Sequence, residues 1–160
     1  YPPSKQTPGF KGKLSDLLKR LEKFNPDKVL TEVLKETKKP EELIKDRLNK
    51  KGLRSTGEVI KTKRAHRGVY ANRTIFIKIK KGQPYKHVTL KDTGEFQKSF
   101  EKKLLKDAFQ VEANSKKPDG MIEDNVNFEN ILNLSENELS ELVKEIKPDY
   151  LEAVRDSIGV

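Results

Sequence analysis

Few side chains in this 160-residue chain have the types and spacing to do chemistry. His66 and His87 are its only histidines, and both sit among cations. Neither has a nearby carboxylate in sequence to hold a tautomer or to neutralise a metal ion, so a metal site is not expected. Asp119, Glu123 and Asp124 cluster, but without the spacing of a calcium loop. There is no glycine-rich phosphate loop followed by Lys-Ser/Thr, no nucleophile elbow and no His-Glu-x-x-His. Cysteine is absent, which removes disulfides and thiolate metal sites. The expectation is a non-enzymatic protein without a cofactor. What remains is electrostatic. Arg64, His66, Arg67, Tyr70 and Arg73 interleave cations with an aromatic ring, a pattern suited to phosphate or to an acidic protein face. The same strip can also be a solvated surface.

Charge is divided along the chain. Residues 1–118 hold 31 Lys and Arg against 14 Asp and Glu, a net of +17. Residues 119–160 hold 3 against 11, a net of −8. No acidic residue lies between Glu58 and Asp92, a stretch with ten Lys and Arg and both histidines. A field this one-sided attracts phosphate or an acidic face. The segregation also suits head-to-tail assembly, where the basic face of one subunit meets the acidic face of the next.

The elements that must position these groups follow from the apolar pattern. Hydrophobic residues make up 33% of the chain and charged residues 37%, so a modest core is expected. Residues 1–12 read as a flexible arm, with no initiator Met and no apolar region of a signal peptide. No stretch approaches the roughly 20 apolar residues of a membrane span. A cytoplasmic or particle-bound protein is the simplest expectation. Leu14, Leu17, Leu18 and Leu21 predict a short helix. Asn25-Pro26 stops it and opens a second, with Asn25 as N-cap and Pro26 in the first turn. Lys39-Pro40 makes another break. Glu41 and Glu42 then start a third helix, with Leu43, Ile44 and Leu48 inward and Gly52 as C-cap. Residues 61–73 read as a long basic loop that orders against a partner.

Further along, Ile75, Ile77 and Ile79 alternate with Lys78 and Lys80, which predicts a strand over 74–80 with Phe76 on the cationic face. Residues 85–90 read as a second strand, antiparallel to the first across the turn at 81–84. Asp92 and Glu95 have capping-box spacing, and Phe96 and Phe100 then fall on one face of the helix that follows. Leu104 can prolong that helix to about residue 106. A short helix followed by a hairpin is preferred, because Phe109, Val111 and Ala113 alternate and residues 102–105 can pair with them. Residues 114–120 form a loop of turn residues and mark the charge switch. Ser135 and Glu138 form a capping box ahead of Leu139, Leu142, Val143 and Ile146. Pro148 is expected to break that helix, and a last one carries Leu151, Val154 and Ile158.

The segment Leu90-x-x-Thr93-Gly94-x-Phe96-x-x-Ser99-Phe100 resembles the L-x-x-T-G-x-[LF]-x-x-S signature of tail-completion, neck and minor structural proteins of tailed bacteriophages. Upstream, Leu48, Gly52, Ser55-Thr56-Gly57 and Ile60 are similar to the lead-in of such proteins. Downstream, Leu132, Leu134-Ser135-Glu136 and Leu139 are similar to their acidic helical end. The Tyr-Ala and acidic-Gly-Thr ending of the smaller tail-completion proteins is missing. The resemblance implies a helix packed across a sheet, and a virion protein without enzymatic activity. It further implies many copies forming a ring or collar at the head–tail connection, with portal, connector and tail proteins as partners.

Together these observations predict an α+β protein with N-terminal helices, a small mostly antiparallel sheet with a packed helix, and acidic C-terminal helices. Its expected divisions are an arm (1–12), a basic α+β core with N-terminal helices (13–118) and an acidic helical segment (119–160). Phe96 and Phe100 are the expected sheet–helix contact, and Lys61, Arg64, Arg67 and Arg73 the expected interface. The alternative is a nucleic-acid-binding accessory protein using residues 61–91.

Overall fold

The computed structural model describes residues 13–91, 94–106, 108–117 and 120–160. Among them the chain is α+β, with six α-helices and two small two-stranded antiparallel sheets. The expected arm (1–12), Asp92 of the expected capping box, Thr93 and Asp119 lie outside the described residues. No helix of the described residues is long and apolar enough to cross a membrane. The structure divides into two units, one of residues 38–142 and one that joins residues up to 37 with 143–160.

In the smaller unit, helix α1 (Leu14–Lys23) carries the leucine stripe and buries none of its residues. Helix α2 (Pro26–Glu36) starts as its sequence predicts. The Asn25 side-chain oxygen accepts from the backbone N–H groups of Asp27 (3.1 Å) and Lys28 (3.3 Å), and Pro26 occupies the first turn where no donor is needed. Val29 and Leu34 are its buried residues.

The larger unit is organised by helix α3 (Lys39–Lys51). Leu43, Ile44 and Leu48 are buried, the last two completely. Gly52 ends the helix in the left-handed region (φ 60°), and its N–H reaches the carbonyls of Arg47 and Leu48. A Cβ at Gly52 would lie 2.7 Å from the Cβ of His87 and 2.8 Å from the nitrogen of Val88, so this turn also admits close passage of a second segment. The core then gathers Ile60, Val69, Tyr70, Val88, Phe96, Phe100, Val111, Ile122, Val126 and Ile131 around Ile44 and Leu48.

Arg47 is buried on α3, and its guanidinium holds four acceptors. Nε donates to the Leu53 carbonyl and Nη1 to the Asn133 carbonyl, each at 3.0 Å. Nη1 also meets the Glu138 carboxylate, and Nη2 the Ile131 carbonyl. Glu138 is at once the capping-box acid of helix α6 (Glu136–Ile158). It accepts from the Ser135 N–H at 2.8 Å, and its own N–H donates to Ser135 Oγ at 3.2 Å. A second buried pair, Lys102 Nζ to Glu41 Oε1 at 3.7 Å, ties α3 to the hairpin.

Several sequence expectations are corrected. Residues 74–80 are not a strand but lie within helix α4 (Asn72–Lys81), capped by Gly82 at φ 67°. Period-two alternation needs a neighbouring strand to supply backbone partners, and residues 85–90 do not provide one. That segment is unpaired and wraps the end of α3, with Val88 and Thr89 buried and His87 Nε2 2.6 Å from the Asn49 carbonyl. Pro148 does not break α6. The carbonyl it leaves without a donor, that of Lys144, belongs to an exposed residue, so solvent can reach it. The loop at 61–73 orders on the chain's own core through Val69 and Tyr70.

The short helix and hairpin do follow the sequence. Helix α5 (Glu95–Lys98) is one turn, and strand β1 (Glu101–Leu104) pairs antiparallel with β2 (Phe109–Glu112), Lys102 opposite Val111. Strands β3 (Lys116–Lys117) and β4 (Gly120–Met121) make a second minimal pair.

Two outcomes are expected in urea unfolding. Arg47→Met strands the buried Glu138 charge and loses about 3–5 kcal/mol, whereas Glu138→Gln, which keeps an acceptor for the Ser135 N–H, loses less. Gly52→Ala loses more than about 1 kcal/mol, since it meets both a positive φ and a clash with His87 and Val88.

Candidate interaction surface

Residues 94–100 form a junction inside the larger unit. Phe96 and Phe100 meet edge to face, with ring centroids 5.2 Å apart, and Phe96 stacks on Phe128 at 5.6 Å. Both motif rings are buried, so they act within the fold. Gln97 exchanges amide hydrogen bonds with Asn49 (3.1 and 2.8 Å) and donates to the Thr89 carbonyl at 2.8 Å. Ser99 Oγ donates to the Phe96 carbonyl (2.6 Å) and accepts the Asn114 N–H (2.9 Å), which closes α5 and holds the segment that follows β2. Gly94 (φ 89°) and Leu90 (φ 56°) take left-handed backbone at the entry, and Leu90 is held there by packing on the core. A shallow crevice of about 320 Å³ beside Asn49 and Gln97 has Lys45, Lys91 and Lys98 at its rim, offset by Glu42 and Asp46.

The expected interface cations are placed elsewhere. Ile60 is fully buried, and its N–H reaches the Gly52 carbonyl at 3.0 Å. From there the backbone is pinned at three points. Thr62 N–H meets the Val69 carbonyl (2.8 Å), Lys63 N–H meets the Asn125 carbonyl (2.7 Å), and Ala65 N–H meets the Thr62 carbonyl (3.1 Å). Lys63 Nζ also reaches the Glu123 carbonyl at 2.9 Å. Lys61, Arg64, His66 and Arg67 are exposed on this pinned loop, and Arg73 is exposed on the first turn of α4. The loop is therefore a fixed display of positive charge.

Helix α4 is turned inside out. Its lysine at position 78 is 8% exposed, while Phe76, Ile77 and Ile79 are 58%, 41% and 54% exposed. The ammonium of Lys78 sits 4.8 Å from the Tyr70 ring centroid and that of Lys80 lies 4.5 Å from the Phe76 ring. Thr74, Ile75 and Lys78 form the inward side. Arg73, Phe76, Ile77 and Lys80, spaced i, i+3, i+4, i+7, form the outward one. The expected strand put Ile75, Ile77 and Ile79 together on one face and Phe76 with Lys78 and Lys80 on the other, which hides this helical face. The helical spacing of Arg73, Phe76, Ile77 and Lys80 was the available signal.

Tyr70 connects this helix to the junction. Its hydroxyl accepts the Thr89 N–H at 3.3 Å. Burial raises its pKa above the ordinary 10.0, and the Thr89 contacts pull the other way. Among the described residues no three His, Cys, Asp or Glu side chains gather to hold a metal ion. The surface offers cations and exposed apolar side chains, a combination that binds by desolvation and charge.

Two outcomes test this placement. Phe96→Ala is expected to lose about 3–5 kcal/mol, whereas Phe76→Ala changes stability by no more than about 0.5 kcal/mol, both read by thermal unfolding. The folded state keeps the Tyr70 proton at pH values where the unfolded chain has released it. Stability is therefore complete below pH 10.0 and declines as pH rises above it. Tyr70→Phe is expected to flatten that alkaline decline in a pH series of unfolding midpoints.

Comparison with known proteins adds no relative: no protein-family model, no curated protein and no solved structure matches this chain.

Proposed function

We propose that this chain is a non-enzymatic structural component of a tailed-phage virion. It acts in many copies as a ring, neck or tail-completion protein at the head–tail connection. The observation that carries the proposal is the outward face of α4, where Phe76 and Ile77 stand in solvent between Arg73 and Lys80, with Ile79 exposed at its flank. A monomer gains nothing by exposing these side chains while burying a lysine, whereas an assembly surface gains desolvation energy from them. The resemblance of residues 90–100 to the phage signature points the same way. Portal, connector and tail proteins are the partners this reading assigns, and the virion is its location after assembly in the host cytoplasm.

A second reading has its own observation. Lys61, Arg64, Arg67 and Arg73 are exposed on a stretch without any acid, which favours sequence-tolerant attraction to nucleic acid. Labelled duplex DNA separates the two. The structural reading expects no binding at physiological salt, and genes for portal, capsid or tail proteins beside this one. Tight DNA binding at that salt, in a gene neighbourhood without virion genes, would reverse the order.

A further inference from the structure

We infer that the outward face of α4 docks on the acidic side of the C-terminal half of α6 in a second copy of this chain. This rests on the assembly reading and names its contact.

Two observations on the page meet here. The first is the unpartnered face of α4. Arg73 and Lys80 are seven residues apart, two helical turns or about 10.5 Å, with Phe76 and Ile77 between them on the same side. The second is the charge division of α6. Glu145, Asp149, Glu152 and Asp156 recur at i, i+4, i+7 and i+11, so they form one exposed stripe. Of the cations of that stretch, Lys147 falls on the opposite side, while Lys144 and Arg155 flank the stripe at roughly 90–110° around the helix.

The two faces match in sign and in spacing. Glu145 and Glu152 are also two turns apart, and so are Asp149 and Asp156. Arg73 and Lys80 can therefore meet a carboxylate each at a single helix-on-helix register. In that register Phe76 and Ile77 face the two residues between Glu145 and Glu152, the exposed ring of Pro148 and the Asp149 side chain beside it. Burying the two apolar side chains supplies attraction that ion pairs at a surface do not supply alone. The charges select the partner and its register. Membrane or duplex DNA would satisfy the cations of α4 equally, but neither explains an opposite stripe with the same two-turn repeat on this chain. The contact is heterologous, joining one surface patch to a different one, so it propagates head to tail and closes into a ring when the rotation permits.

Charge exchange tests this on the full chain by analytical ultracentrifugation, with circular dichroism to verify folding. R73E/K80E and E145K/E152K alter exposed residues only. Each alone is expected to weaken self-association by about tenfold or more. An equimolar mixture is expected to restore it, because each reversed face then finds its complement on the other variant. Wild-type association is also expected to weaken with added salt. The inference is overturned if wild-type chain stays monomeric at high concentration, if both variants associate like wild type, or if the mixture fails to recover what each variant lost. It is equally overturned if wild type stays monomeric while R73E/K80E removes binding to anionic vesicles or to duplex DNA. The gene neighbourhood tests the virion role independently, so a failed contact and a failed role give different results.

Discussion

The buried guanidinium of Arg47 is the interaction on which the larger unit depends. It reaches from α3 to the turn after that helix, through the Leu53 carbonyl, to the segment before α6, through Ile131 and Asn133, and to the first turn of α6, through Glu138. Residues 131–138 lie more than 80 positions from Arg47, so one side chain closes a long loop. Its planar fork suits the task, since its donors point in fixed directions and cannot lose their charge. A buried charge is tolerated only when paired and hydrogen-bonded, and Glu138 meets both conditions while capping α6. In a chain with a small apolar share, this polar hub does part of the work that a larger hydrophobic core does elsewhere.

Around that hub residues 94–100 act as a joint. Phe96 and Phe100 fill the core, Gln97 grips Asn49 on α3, and Ser99 ends α5 and holds the chain after β2. The close passage of His87 and Val88 across Gly52 adds a further point of attachment. The described residues of the motif therefore position α3, α5 and the β1–β2 hairpin. Their rings are sealed inside, and the surface available to a partner belongs to other residues.

That surface is set by α4. Its inward side needs only Ile75 and the stem of Lys78, whose ammonium rests on the Tyr70 ring. Three large apolar side chains are left facing out, flanked by cations on a stretch that holds no acid. Exposed apolar area and one-sided charge are the two ingredients of selective protein contact, the first for strength and the second for choice of partner.

Features that a few neighbouring residues decide were legible in the sequence. The Asn25 cap, the Gly52 stop, the Ser135–Glu138 box and the turn from α5 into the β1–β2 hairpin each close hydrogen bonds within a short span, so residue type and spacing suffice. The division into a basic body and an acidic end is likewise a property of composition alone. Tertiary structure decided the rest. Ile75, Ile77 and Ile79 suit a strand as well as a helix, and only the absence of a pairing neighbour at 85–90 settles the matter. Pro148 can stop a helix or ride within one, depending on whether water reaches the carbonyl it leaves open. Arg47 looks like any surface arginine until distant carbonyls and Glu138 converge on it. Local bonds are written in adjacent letters, whereas burial and pairing depend on residues the chain brings together only by folding.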